Sequence, residues 1–530
     1  MHNLELGEAL REWASLLGDE HVSCDAATLT AAGTATFASS SRVLAILRPE
    51  SRDHVQQIVR IANRHRVPLY PFSTGKNWGY GSRVPARDGV LVDLGRMNRI
   101  VAFDEQLAYV TIEPGVTQRQ LYDYLQERGS RLWMDATGAS PDCSVIGNTL
   151  ERGFGHTPMG DHCANACGYE VVLPNGECLE TGFGRFPEAR TTALSRWGVG
   201  PSFEGLFSQS NLGIVTRMTV WLMPAPEQFQ AFFFMCRDEA GLGPVIEALR
   251  PLRLNGTLRS YMHIANDYKV LNGNSQFPWP EPAPLGLERM QHIRRELRIG
   301  AWNGSGALYG SRAQVREAKR LLKAALRGKA DRLQFVDDRL LGLMQRLAGP
   351  VALVSKWDLS RIVKLLVPVY GLLKGVPTDA TMASVYWRKK TPPPASPDPD
   401  RDRCGLLWCS PVLPNTGPDV EAVTTLVTRL LLEHGFEPQM SLSLAGERMI
   451  ICIITIAYDR DVPGEDERAM ACYLRLSETM IAKGYPPYRL SVASMAQVDS
   501  QTTYGATLSA IRSALDPNGI MAPGRYQPES

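Results

Sequence analysis

At 530 residues with 44% hydrophobic content, the chain is long enough to fill two or three domain-sized cores. Its 57 Lys and Arg against 55 Asp and Glu leave a net charge of +2, and no basic run interleaves with aromatics, which argues against nucleic-acid binding. The segment Met1–Glu8 lacks the charged and apolar regions of a secretory signal, and the longest apolar run, Met449–Tyr458, is too short to span a bilayer, so a cytoplasmic protein with no membrane span is expected. Ten scattered cysteines form no disulfide framework. His162, Cys163 and Cys167 resemble half a metal site, but no second Cys/His pair follows at ligand spacing, so no metal is expected.

The first part of the chain alternates helix and strand signals. Pro49–Asn63 repeats apolar residues at helical spacing behind capping residues, and Val67–Phe72 reads as a strand. This strand leads into Pro71-Phe-Ser-Thr-Gly-Lys-Asn-Trp-Gly-Tyr-Gly-Ser82, where three glycines and small hydroxyls allow the backbone N–H groups to curl around an anion such as pyrophosphate. Taken alone the turn is weak evidence, because its spacing matches neither the dinucleotide fingerprint nor a phosphate loop. Strands follow at Gly89–Leu94, Tyr109–Ile112 and Glu170–Leu173, then at Met218–Met223, after which Pro224-Ala-Pro226 breaks the pattern and places a domain boundary near Glu227.

The second part carries helix signals at Ser311–Leu326 and Val420–Glu433 and strand signals at Leu406–Cys409 and Met449–Tyr458. Lys389–Arg403 is Pro-rich and charged, and reads as an exposed, mobile loop. In Leu340–Pro350 and Val363–Leu373 apolar residues interleave with Lys and Arg, a pattern that fits burial in this domain, a subunit interface or a membrane-surface patch.

Four further segments accompany the Gly-rich turn in order: Glu113-Pro-Gly-Val-Thr117, Val145-Ile-Gly-Asn-Thr-Leu-Glu-Arg-Gly-Phe-Gly-His156, Asn211-Leu-Gly-Ile-Val-Thr216 and Asp516-Pro-Asn-Gly-Ile-Met-Ala-Pro-Gly-Arg525. From about Arg48 to Arg525 the chain thereby resembles the vanillyl-alcohol oxidase and p-cresol methylhydroxylase (PCMH) flavoproteins, and the PCMH branch more closely. The resemblance implies an α+β fold: a two-subdomain FAD-binding domain of PCMH type over 1–226, an α+β substrate (cap) domain over 227–486, and a return of 487–530 to the first domain. It implies FAD held by Ser73, Thr74, Gly75, Lys76, Asn77, Gly79, Gly81 and Ser82, by Pro114 and Gly115, by Gly147, Asn148, Glu151, Arg152, Gly155 and His156, by Gly213, Ile214 and Val215, and by Arg525. Lys76 itself reads as a surface residue rather than a ligand.

The same resemblance assigns Tyr80, Tyr488 and Arg489 to binding a phenolic oxygen as its anion. Carrying a phenol from a pKa of about 10 to neutrality requires about 4 kcal/mol, and each hydrogen bond to a charged partner contributes roughly 1.5–3 kcal/mol, so two or three donors suffice. A bound phenolate favours loss of hydride from the para benzylic carbon, leaving a p-quinone methide that water can trap; a substrate that is already an alcohol would become an aldehyde or ketone. Leu406 stands where the oxidase branch has its flavin-bonding His. Tyr386 is suitably placed for the tyrosyl link of the other branch, the alternative being an aromatic core residue with FAD bound non-covalently.

The acid/base groups of the family are missing: Ala139, next to Ser140, replaces a carboxylate, and Ser441 and Ile450 stand for a Glu and a His. Water activation therefore has no obvious base, and the product need not be a hydrated quinone methide. The implied partners are a small phenolic substrate, a second copy in a homodimer, and a separate cytochrome c as electron acceptor, since the chain has no Cys-x-x-Cys-His of its own. Two rivals remain: oxidation of a non-phenolic alcohol or natural-product intermediate, and a flavin subunit that mainly passes electrons onward.

Overall fold

The computed structural model describes residues 3–354, 359–497 and 502–527, and within these the side chains outside 3–4 and 348–362. Met1 and His2 of the N-terminal reading, and 498–501 and 528–530 of the C-terminal one, lie outside the described residues.

A four-stranded sheet opens the fold, with Val43–Leu47, Gly89–Asp93 and Leu69–Phe72 running parallel and Val22–Ser23 antiparallel at its edge. The helix Arg52–His65 covers it with Val55, Ile58, Val59 and Ala62, all buried, because these residues recur at helical spacing. Ser51 Oγ caps its first turn by accepting from His54 N at 3.2 Å, and Arg66 ends it in the left-handed region at φ 52°. The strand Leu69–Phe72 then delivers the Gly-rich turn.

An antiparallel five-stranded sheet forms the second layer, in the order Ile100–Asp104, Tyr109–Ile112, Ile214–Trp221, Ala166–Val172, Cys178–Glu180. Two of these strands start earlier than their sequence patterns predict, since the ladder between them sets the limits rather than the composition of either. Gly115 joins the two layers: its N–H donates to Met97 O at 2.7 Å, and a Cβ there would lie 2.4 Å from Gly95 O, so a side chain would push the layers apart.

Eight antiparallel strands between Gln228 and Asp459 build the third and largest sheet, with the long helices Leu242–Leu254, Arg312–Leu326, Gly417–Glu433 and Glu465–Ala482 packed on one face. Ile450, Cys452, Ile454 and Ile456 point into this helix-covered core, whereas Ile451, Ile453 and Thr455 alternate onto the opposite face. That opposite face meets the first two layers. The chain finally returns to the first layer, where Met521 bridges Leu69 and is buried together with Ile520.

The segment Lys389–Arg403 departs from its predicted exposure at both ends. Lys389 Nζ meets Asp459 and Asp461 at 2.7 and 2.6 Å, and Asp400 is buried with its carboxylate accepting from Ser82 Oγ at 2.8 Å, while 390–396, Arg401 and Arg403 are exposed as expected. The apolar stretches 340–350 and 363–373 divide between two environments. Leu341, Tyr370 and Leu373 are buried against Phe229 and Tyr309, while Leu340, Leu343 and Leu347 face outward. The side chains of 348–350 lie outside the described residues, and among those described no helix is long and apolar enough to cross a membrane.

Candidate active site

The Gly-rich turn leaves its strand with Gly75, Gly79 and Gly81 at φ 69°, 76° and 122°. Among the described residues the backbone N–H groups of Thr74, Gly75, Lys76 and Asn77 donate to no protein acceptor, so four consecutive donors await an anion. Thr74 Oγ1 accepts from Ser144 N at 3.0 Å, which ties the turn to the start of the helix Val145–Leu150. A Cβ at Gly147 would lie 2.5 Å from Ser73 Oγ, so this helix approaches the turn only as glycine. Lys76 extends over the Trp78 ring at 5.2 Å. These free amides, with glycines at each close approach, fit a diphosphate lying along the turn.

Around the same region the side chains close a ring. Arg489 places its guanidinium 3.9 Å from the centre of the Tyr80 ring, and Tyr80 meets Trp408 edge-on at 5.7 Å. Trp408 packs against the cluster of Met382, Val385 and Tyr386, in the same short helical segment as Thr381. A Cβ on Gly138 would touch both Thr381 Cγ2 and His156 Cε1. His156 lies on His263 at 4.3 Å, His263 stacks on Phe154, and Phe154 meets Tyr488, the neighbour of Arg489. Among the described residues four buried polar atoms distributed round the ring have no hydrogen-bond partner in the protein: Trp408 Nε1, Thr381 Oγ1, His263 Nε2 and Arg489 Nε. Buried donors and acceptors rarely remain unpaired, and a flat polar heterocycle with a polar substrate would engage them.

The predicted phenolate trio is therefore brought together. Tyr80 is buried, its hydroxyl 2.8 Å from Ser410 Oγ, and burial pushes its pKa well above the ordinary value, so it is a hydrogen-bonding phenol rather than an anion. Arg489 is buried too. Burial opposes its charge, but Tyr488, Glu151 and Tyr80 outweigh that cost and hold its pKa above the usual range. Its Nη2 donates to Asn77 Oδ1 at 2.6 Å and lies 3.4 Å from Glu151, which aims the guanidinium and leaves Nε free.

Several residues expected to hold the cofactor have an additional or different part. Glu151 is the shared counter-ion of Arg489 and Arg525 and accepts from Tyr526 Oη at 3.0 Å, clamping three chain segments together. Asn148 Oδ1 and Asp135 Oδ2 grip His162 between them at 2.6 Å each, which explains that histidine without a metal, and the described residues contain no group able to hold one. Pro114 O accepts from Ser144 Oγ at 2.6 Å. Ile214 and Val215 are buried in two separate cores, and a Cβ on the adjoining Gly213 would meet Val171 Cγ1 at 2.7 Å. A Cβ on Gly155 would collide with the Asp135 carboxylate, whereas Arg152 is exposed at φ 53°. Tyr386 is buried with its hydroxyl donating to Asp402 Oδ2 at 2.6 Å.

The expected substitution of a base by Ser441 places Ser441 on the site-facing side of the large sheet, beside Ile453 and Ala265. Ile450 is on the wrong face and is replaced there by Ile451. His263, Ser410, Trp408 and Lys269 were not foreseen; the polar and small residues alternating in Met262-His-Ile-Ala-Asn266 are the signal that marks His263.

Residues 43–182 match the family model described as an FAD binding domain. The chain is 47% identical to 1'-carboxy-chondrochloren decarboxylase of Chondromyces crocatus, over 99% of this chain and 98% of that protein. It is 31% identical to the flavoprotein subunit of 4-cresol dehydrogenase [hydroxylating] of Pseudomonas putida, covering 98% and 95% of the two chains. The chain belongs to the p-cresol methylhydroxylase family of flavoproteins. The solved structure of 4-ethylphenol oxidase from Gulosibacter chungangensis, in its isoeugenol complex, superposes with a TM-score of 0.90 at 30% identity over 100% of this chain and 98% of that one. The protein is thus an FAD-dependent oxidoreductase with an FAD-binding domain and a cap, as the ordered motifs imply.

Proposed function

We propose that the protein oxidises a para-substituted phenol whose side chain carries a carboxylate, with loss of a benzylic hydride and of carbon dioxide. The observation that carries the phenol reading is the buried Arg489 guanidinium, aimed by Asn77 and Glu151 with its Nε free beside Tyr80 and Tyr488. A permanent cation and two phenol donors suit a phenolate better than a neutral alcohol.

Bound FAD supplies the two-electron acceptor that takes up the hydride. The amides of Thr74 to Asn77 would hold its diphosphate, and the unpartnered atoms of Thr381, His263 and Trp408 offer its ring or the substrate hydrogen bonds. Tyr386, whose proton is held by Asp402, is the proposed covalent attachment point. On acid precipitation, yellow colour should stay in the wild-type pellet and be released from Tyr386→Phe; release from both would show a merely bound cofactor.

Arg489 stabilises the phenolate before hydride loss, the substrate left behind is a neutral p-quinone methide, and the same guanidinium receives the phenolate again when decarboxylation returns electrons to the oxygen. Decarboxylation follows without a catalytic base. The electron pair of the C–COO⁻ bond forms a new side-chain double bond, the quinone methide electrons return to the phenolic oxygen, and carbon dioxide leaves. The name of the 47% identical relative, a decarboxylase, supports this outcome. So does the site-facing side of the large sheet, where Ser441, Ile451 and Ile453 offer no carboxylate to activate water. The two imidazoles present are poor substitutes: burial lowers the pKa of His156, and that of His263 further, with His156 adding to it, whereas a useful base has a pKa near the working pH. Anaerobic mixing of the holoenzyme with 3-(4-hydroxyphenyl)propanoate should bleach the flavin and yield 4-vinylphenol. A flavin that remains oxidised, or a hydroxylated acid as product, would reject the proposal.

A further inference from the structure

Lys269 is a half-buried cation that differs from the buried ones among the described residues. Lys389, Arg388, Arg489 and Arg512 each face a carboxylate, and Arg253 donates to the carbonyls of Leu258 and Ser260. Lys269 Nζ has a single contact among the described residues, a 3.3 Å hydrogen bond to Thr455 Oγ1, and no ion pair. An ammonium group has three donors, so two remain unused.

Its position gives those donors a direction. Thr455 lies on the site-facing side of the large sheet, directly opposite Trp408 on one neighbouring strand and Gln439 on the other. Trp408 forms the wall of the ring against Tyr80, with its indole Nε1 unpartnered. Ser410, which bonds the Tyr80 hydroxyl, lies two residues along the strand from Trp408. Thr455 is thus one strand across and two residues along from Ser410, which places it roughly 8 Å away by ordinary sheet spacing. This is the scale of a para-phenol ring with a short side chain.

We propose that Lys269 receives the carboxylate on the side chain of the phenolic substrate, so that Arg489 and Lys269 bind the two anionic ends of one molecule. This assignment rests on the phenol reading above and adds the residue that selects an acidic side chain. Burial pushes the Lys269 pKa down to about 8, the consequence of an ammonium group desolvated without a counter-ion. A bound carboxylate would supply that counter-ion and would hold the substrate by its far end while the benzylic carbon reacts.

The test compares two ligands on dithionite-reduced holoenzyme, where no turnover intervenes: 3-(4-hydroxyphenyl)propanoate and 4-ethylphenol, each titrated by calorimetry. Lys269→Met should weaken the carboxylated ligand about 30-fold more than 4-ethylphenol, the loss expected for one charge-assisted hydrogen bond. Lys269→Arg should recover most of that difference. Equal weakening of both ligands, or weakening of neither, would overturn the assignment, and 4-ethylphenol binding to the variant reports that the site has folded. The two proposals fail separately. Lys269-dependent binding with no flavin reduction in the wild type would reject the reaction alone, and turnover with binding indifferent to Lys269 would reject the carboxylate site alone.

Discussion

Arg489→Met should slow anaerobic flavin reduction by 4-ethylphenol about a thousand-fold, the equivalent of ~4 kcal/mol for removing one partner of a buried charge pair. The same change should weaken FAD binding by less than about tenfold, because on the proposed reading the lost charge would face the substrate oxygen and the diphosphate would have its own donors in Thr74 to Asn77. Arg489→Lys should recover only part of the rate. A point charge cannot reach Asn77 Oδ1, Glu151 and a phenolate together as the planar guanidinium does. Tyr80→Phe and Tyr488→Phe should each cost less, since each removes one neutral donor. Stopped-flow reduction with each variant checks the order, and a wild-type rate in Arg489→Met would favour a non-phenolic substrate.

Glu151→Ala should give the largest loss of stability, about 3–5 kcal/mol, by leaving Arg489 and Arg525 buried without their shared counter-ion. Thermal unfolding of the holoenzyme followed by flavin fluorescence measures this, and Glu151→Gln, which keeps the shape and the acceptor for Tyr526, should lose less. The pH dependence has a definite sign. Burial raises the Glu151 pKa, but Arg525 and Arg489 overcome it and hold the folded-state value below 4.5. The stabilisation is therefore complete above the unfolded pKa and is lost as pH falls through the lower folded value. The gap between wild type and Glu151→Ala should narrow in acid. A gap that stays constant from pH 7 to pH 3 would show that the carboxylate acts through packing instead.

The parts of the site that were legible in the sequence are those whose chemistry is local. The glycines at 75, 79 and 81 mark a turn by their local chemistry, whereas that turn's ligand and the pair Tyr488-Arg489 were legible only through the order of the motifs and the family resemblance they carry. What was hidden depends on register. Lys269 reaches Thr455 across 186 residues, and Tyr80 meets Ser410 across 330, so neither pairing leaves a trace in local spacing. Ile450 shows how narrow the margin is: a shift of one residue along a strand exchanges the core face for the opposite one, and Ile451 is the residue packed beside Phe154 and Tyr488. The Pro-rich segment was misread for a related reason. Nothing within Lys389–Arg403 indicates burial, yet Asp400 finds Ser82 318 residues away and packs the loop against the Gly-rich turn.

The electron acceptor is a separate matter from the chemistry on the substrate. The relative from Pseudomonas putida is by name a flavoprotein subunit. Leu340, Leu343 and Leu347 form an exposed apolar stripe. Reoxidation of the reduced holoenzyme by oxygen against cytochrome c tests the acceptor, and sedimentation of Leu343→Glu tests whether that stripe joins two copies.

The most direct measurement of the central claim is a single anaerobic turnover with 3-(4-hydroxyphenyl)propanoate labelled with ¹³C in its carboxylate. Oxidative decarboxylation predicts one labelled carbon dioxide for each flavin reduced, with no oxygen from ¹⁸O-water in the organic product. Reduced flavin with the label retained in an ¹⁸O-bearing hydroxy acid would contradict it and point instead to hydroxylation, the reaction for which the Pseudomonas putida relative is named.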